Sequence, residues 1–190
     1  MLTTKKHILL DLDGVIVDFL AGAMEMLNVA YDKKYKPSEY VDLHGKFGIN
    51  DLYGVSEKEF WEVLSYDDRF WEHLKPTPYG LKLYFWLARI APITILTAPN
   101  LDPDCPRQKL VWLKKHLCLD INFVMMGSRK YLLAGNGILI DDNSKNCDEF
   151  IAAGGEAILV PSEWNTKGVN FKMVVGVIQQ NKYIQEWMKR

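Results

Sequence analysis

Asp11, Asp13 and Gly14 stand in the run Asp11-Leu12-Asp13-Gly14-Val15-Ile16-Val17-Asp18, directly behind the apolar segment His7-Ile8-Leu9-Leu10. Two carboxylates one residue apart, just past a buried strand, suit a site built around a cation or a phosphate. The strand would carry both acids to a sheet edge, where loops and ligands meet. Gly14 allows a turn that a residue with a β-carbon resists. A carboxylate attacking phosphorus splits one hard displacement into two easier ones. A second acid two residues on can protonate the departing oxygen and later activate water. Asp11 is therefore the candidate nucleophile and Asp13 the candidate general acid/base. Alone, the same string also fits a calcium-loop fragment or a plain turn.

Three further pieces of a phosphotransfer site follow in order. Ile93-Thr94-Ile95-Leu96-Thr97-Ala98 is a second apolar run ending in a hydroxyl, so Thr97 and the N–H of Ala98 are candidate donors to a phosphoryl oxygen. Lys130, in Ser128-Arg129-Lys130, is a candidate cation to offset charge on the nucleophile and the transferring group, with Arg129 as its neighbouring competitor. Ile138-Leu139-Ile140 ends in Asp141-Asp142-Asn143. Adjacent acids after a strand suit an oxygen-liganded divalent cation, and magnesium is the natural choice because it bridges carboxylates to phosphate. Without a cation, carboxylates packed together repel and shift their pKa values.

The elements that must position these groups are legible as short, continuous apolar runs: His7–Leu10, Ile93–Leu96, Ile121–Met125, Gly137–Ile140 and Ala157–Val160. Such runs suit a parallel sheet buried on both faces. Helical spacing lies between them, at Leu81, Tyr84, Leu87 and Ala88, and at Leu110, Leu113 and Leu117 with Pro106 in a first turn. Ser144 is a candidate cap for a helix over Lys145–Ala153, and Met173–Trp187 reads as one helix packed on the sheet. Strands alternating with helices predict a doubly wound parallel α/β sheet. Residues 21–75 break the rhythm, being too long for one crossover helix. They hold helix-like pieces at Ala21–Val29 and Glu57–Leu64, and ten of the chain's 23 aromatics fall between Tyr31 and Trp71. We expect a small helical cap at 21–75 on a catalytic core formed by 1–20 and 76–190. A cap of that size needs large side chains to make a core of its own.

Composition removes other classes. The formal net charge is −1 over 190 residues and the lysines are dispersed, so nothing draws the chain to a nucleic-acid polymer or an anionic membrane. No apolar run approaches the roughly 18 residues needed to span a bilayer. Cys105, Cys118 and Cys147 form no Cys-x-x-Cys pair, which favours reduced thiols and a cytoplasmic location. The first strand starts within a few residues of Met1, which leaves no room for a signal peptide. His7, His44, His73 and His116 show no metal-ligand spacing.

The four pieces, in this order, resemble the haloacid dehalogenase superfamily of phosphotransferases. That resemblance implies that Asp11 is the nucleophile and Asp13 the acid/base, and that Asp11, Asp13 (through its carbonyl) and Asp141 hold magnesium, with Asp142 in or just behind the metal shell. Thr97 and Lys130 become phosphate holders. Closer detail, in Asp11–Phe19, Ile95–Pro99, Cys105–Lys109 with Trp112, Leu139–Asn143 and Pro161-Ser162-Glu163-Trp164, is similar to the 5′(3′)-deoxyribonucleotidases. By that likeness Lys109 also reaches the phosphate, while Phe19, Phe47 and Trp61 border the nucleoside. The sequence departs from that pattern at Ala98, where a Ser is usual, and at Phe47-Gly48, where an aromatic pair is usual. The spacing from Lys130 to Asp141 is one residue longer, which keeps Arg129 in contention. The expected function is a magnesium-dependent phosphomonoesterase for (deoxy)nucleoside monophosphates. A sugar phosphate as substrate, or a fold-retaining protein without turnover, are the alternatives, and a homodimer is left open.

Overall fold

A computed structural model describes residues 7–43, 48–117, 120–127 and 129–189. Five parallel strands, β1 (His7–Leu10), β2 (Ile93–Thr97), β3 (Asn122–Met125), β4 (Gly137–Asp141) and β5 (Glu156–Leu159), form one sheet in the order β3-β2-β1-β4-β5. The chain runs outward from β1 through β2 to β3, then returns to the other side of β1 for β4 and β5. The reversal lies between β1 and β4, and open α/β sheets bind ligands at such a point, beyond the carboxyl ends of their strands. Leu10 pairs with Ile95 on one side and with Ile140 on the other, so Asp11, Thr97 and Asp141 all emerge at the same edge.

Alternation along the strands divides the core. Ile8, Leu10, Ile95, Ile138 and Ile140 face the larger cluster, whereas Leu9, Leu96 and Leu139 face Phe150 and Ala134 on the opposite side. The central strands are buried on both faces, as expected of continuous apolar runs. The outer strands are not: Phe123 on β3 is 40% exposed and Leu159 on β5 is 45% exposed, because a sheet edge has only one neighbour to cover it.

Helices α1 (Phe19–Ala30), α2 (Pro37–Leu43), α3 (Ile49–Tyr53), α4 (Glu57–Leu64), α5 (Phe70–His73) and α6 (Gly80–Ala88) lie between β1 and β2. Asp18, the last acid of the first motif, starts α1 by accepting from the N–H of Ala21 at 3.0 Å. The expected cap boundary at residue 21 thus falls inside α1. Ser56 and Glu59 form a reciprocal capping box at the start of α4. The aromatic surplus makes an interior: Phe19 meets Phe60, Phe70 and Trp71, with its ring nearly parallel to Trp71 at 5.3 Å and 14°.

Helix α7 (Asp104–His116) follows β2, and α8 (Ser144–Ala152) follows β4. Its cap is Asn143, whose side chain accepts from the N–H groups of Lys145 and Asn146, rather than the expected Ser144, which is the first helical residue. The expected single C-terminal helix is two, α9 (Phe171–Ile178) and α10 (Lys182–Met188). Asn181 divides them, because its side chain accepts from Tyr183 and Ile184 and so starts a new helix.

Helix α7 ties the segment around α5 to the sheet. Gln108 accepts from the N–H of Trp71 at 3.0 Å and donates to the carbonyl of Asp68 at 2.9 Å. One turn further on, Trp112 donates its indole N–H to the carbonyl of Leu74 at 2.7 Å. Gln108→Ala would strip the Trp71 N–H and the Asp68 carbonyl of a shared partner. We expect a loss of about 1–3 kcal/mol in unfolding free energy, measured by urea denaturation.

Candidate active site

The main chain places the first two acids. Asp11 closes the β1–β4 ladder by donating its N–H to the carbonyl of Ile140 at 2.9 Å, and the chain then turns sharply at Gly14. Gly14 has φ +81°, and a β-carbon there would overlap the carboxylate of Asp142. Both facts require glycine: one through backbone sterics, the other through the close approach of β4's acid.

Asp11, Asp141 and Asp142 are buried, and each offers a carboxylate oxygen within 4.8 Å of the others. Lys130, 4% exposed, lies among them with its Nζ 2.7 Å from Asp11 Oδ1 and 2.7 Å from Asp141 Oδ2. It is the first residue of a short 3-10 turn, Lys130–Leu133. Arg129 beside it is exposed, so Lys130 is the cation that meets the acids. Asp141 also accepts from Asn146 on α8, at 3.3 and 3.1 Å, and from the N–H of Asn143 at 2.8 Å. Asp142 accepts the indole N–H of Trp164 at 2.6 Å.

Asp13 belongs to a second, adjoining group. Its Oδ2 accepts from Lys109 Nζ and, at 3.2 Å, from the hydroxyl of Thr97. Lys109 also donates to Thr97 Oγ1 at 3.0 Å and to the carbonyl of Ala98 at 3.2 Å, and its Nζ lies 4.4 Å from the centre of the Trp71 ring. Thr97 and Lys109 are buried behind Asp13. The other oxygen of Asp13, Oδ1, is buried without a partner among the described residues.

Burial and the negative charge of Asp141 push the Asp11 carboxyl up to about 7, against the opposing pull of Lys130. Burial and the same neighbouring acids raise Asp142 well above the ordinary carboxylate range, even though Trp164 donates to it. Burial disfavours the charged form of Lys130, but Asp11 and Asp141 outweigh it and raise that group. One lysine therefore undercompensates three acids. Hard oxygen donors, excess negative charge and close spacing fit a divalent cation such as magnesium.

A cavity of about 380 Å³ opens onto these groups. Asp11, Asp13, Ala98, Lys130 and Asp142 line it together with Phe19, Trp61, Trp71 and Trp164. Of the residues expected to border a substrate, Phe19 and Trp61 are there, and Phe47 lies outside the described residues. Trp71, Trp164 and Asn146 are site residues that the sequence motifs did not single out. Trp71 was one aromatic among many, and Asn146 was a polar residue early in a helix. Trp164 ends the segment Pro161-Ser162-Glu163-Trp164, in which no spacing relates it to the acids.

A family model described as 5′ nucleotidase, deoxy (Pyrimidine), cytosolic type C protein matches residues 5–176. Among curated proteins, the mouse (Mus musculus) mitochondrial 5′(3′)-deoxyribonucleotidase is 27% identical over 148 residues, which cover 72% of this chain and 64% of that protein. The chain thus spans a little under two thirds of that relative. Among solved structures, a hydrolase from Streptococcus pneumoniae is similar at TM-score 0.59 and 15% identity, covering 92% of this chain and 100% of that one. A haloacid dehalogenase-type hydrolase of family IA from Entamoeba histolytica is similar at TM-score 0.53 and 17% identity, with 93% and 89% covered. At such identities these structures establish a shared fold, that of haloacid dehalogenase-like hydrolases. Among the described residues, no helix is long and apolar enough to cross a membrane.

The raised acids make a linkage prediction. Asp11 titrates near its ordinary value of 3.8 when unfolded and near 7 when folded, so the stability it contributes is fully present below about pH 4 and is lost as pH rises through 7. Asp142 acts in the same direction. In chelator, the thermal midpoint should fall between pH 4 and 7, and added magnesium should reverse the fall. Asp11→Asn, which cannot ionise, should flatten the profile.

Proposed function

The chain belongs to this 5′-nucleotidase family, and on that premise we propose that it is a phosphoric monoester hydrolase acting on (deoxy)nucleoside monophosphates with magnesium. The observation that carries the reading is the convergence of Asp11, Asp141 and Asp142 around Lys130 at a cavity walled by aromatic rings.

Asp11 is the nucleophile. Lys130 Nζ and the N–H of Leu12 both approach its Oδ1, the latter at 2.8 Å. Among the described residues no hydrogen bond ends on Oδ2, which is therefore the oxygen free to attack phosphorus in line. The new bond is an aspartyl-phosphate, and the bond that breaks is the ester to the nucleoside oxygen. Asp13 is the acid/base. Lys109 and Thr97 hold its Oδ2, which leaves Oδ1 to give a proton to the leaving oxygen. The same oxygen then takes a proton from the water that clears the intermediate. Asp11, Asp141 and Asp142, with the carbonyl of Asp13, would hold magnesium, which when bound offsets charge on the phosphoryl oxygens. Lys130 and the N–H of Ala98 bind the phosphate. Lys109 and Thr97 meet it across Asp13.

Residues 21–75 form the cap over a core of 1–20 and 76–190. Phe19, Trp61 and Trp71 favour a flat base over a sugar phosphate, since aromatic rings stack on planar groups, and they help exclude bulk water. Cys105 and Cys147 are free and buried, which supports a reducing compartment such as the cytoplasm.

Phosphate release from a panel of 5′- and 3′-(deoxy)nucleotides and sugar phosphates tests the proposal. Magnesium-dependent preference for deoxynucleotides is the expected result. Activity spread over sugar phosphates would discard the nucleotide assignment and keep the chemistry. Asp11→Asn should lower turnover by about three orders of magnitude or more while the protein still folds. Comparable residual activity would sink the nucleophile assignment.

A further inference from the structure

Asp142 is held by a loop that none of the four motifs includes. After β5 the chain turns through Pro161-Ser162-Glu163-Trp164-Asn165 and comes back over the end of β4. Trp164, 8% exposed, donates its indole N–H to Asp142 Oδ2 at 2.6 Å. Asn165 donates to the main-chain carbonyl of Asp142 at 3.0 Å and to that of Val160 at 3.3 Å, while its own carbonyl oxygen accepts from the N–H of Ser162 at 3.0 Å. The loop thus grips both the side chain and the backbone of one acid. The same oxygen, Oδ2, lies against the bare α-carbon of Gly14. Asp142 has little freedom to turn.

We propose that Trp164 is a positioning residue for divalent-cation binding, fixing the Asp142 carboxylate by its indole N–H so that the acid faces Asp11 and Asp141. The proposal rests on reading those three acids as the cation site. An acid clustered with two others would swing away to relieve repulsion unless something held it, and a neutral N–H donor holds it without adding a competing positive charge. Lys130 already supplies the positive charge at Asp11 and Asp141. Groups that orient metal-binding carboxylates in this way commonly matter about 10–100-fold in metal affinity. The same indole forms part of the cavity wall, so a test must remove the N–H and keep a ring.

Trp164→Phe does so. In calorimetry with chelator-stripped protein and magnesium alone, its dissociation constant should rise about 10-fold or more. The thermal midpoint in chelator should fall by only a few degrees, the cost of one buried hydrogen bond. Turnover should recover at high magnesium, which a packing defect would not allow. An unchanged magnesium affinity would overturn the proposal. If the unsubstituted protein itself fails to bind magnesium, the cation reading falls, and this proposal with it. Should Trp164→Phe not fold, the indole N–H resonances of the unsubstituted protein decide. One of the six tryptophans must give a signal protected from solvent exchange that moves when magnesium is added. Six signals indifferent to magnesium would overturn the role.

Discussion

Three buried carboxylates clustered within 4.8 Å of one another, two of them ion-paired with a single lysine, are the constraint around which this molecule is built. Left alone, Asp11, Asp141 and Asp142 would repel one another, and burial deepens the penalty by removing water. The remainder of the site answers that cost. The parallel sheet brings the ends of β1 and β4 side by side, which sets the spacing of the acids. Gly14 leaves room for Asp142, Asn146 and Trp164 supply neutral donors, and Lys130 supplies the single positive charge. Burial first, and the residual excess of negative charge with it, raise Asp11 and Asp142, and both penalties are relieved by a cation.

The second organising contact is Lys109 with Asp13. It joins the acid to Thr97 at the end of β2 and to the face of Trp71. Gln108 and Trp112 on the same helix secure the backbone from Asp68 to Leu74. Helix α7 therefore connects the proposed acid/base to the aromatic wall that a substrate would meet. A displacement of α5 would be felt at Asp13 through two side chains. This coupling gives Lys109 a structural reason to be buried, in addition to any contact with phosphate.

Family membership and fold constrain the activity from different directions. The family is one of nucleotidases, that is, of phosphoric monoester hydrolases, whereas the distant structural neighbours share the scaffold alone. The groups around the acids complete the site. Ala98 supplies no hydroxyl beside Thr97, and the wall is built from Phe19, Trp61, Trp71 and Trp164. Chemistry resides in the part that strand ends must present, and selectivity in the part that loops and helices can vary.

The strand runs, their parallel sense and the acids that close two of them were legible in the sequence, because a strand buried on both faces must be a continuous apolar run and the residue after it emerges at the sheet edge. Glu57–Leu64 was legible because its apolar positions recur at helical spacing. Contacts between residues distant in the chain were not. Lys130 and Arg129 are adjacent and equally cationic, and only the 3-10 turn before β4 decides which one enters the acid cluster. Asn143 and Ser144 are both good caps, and the backbone at the end of β4 selects the first. Lys109 was expected at the phosphate, but its ion pair with Asp13, 96 residues away in sequence, appears only once β2 and α7 pack beside β1. Trp164 lies 22 residues beyond Asp142, and no local spacing relates an indole to that acid. Local physics determines which residues a strand delivers to the edge, and tertiary packing decides which partners they find there.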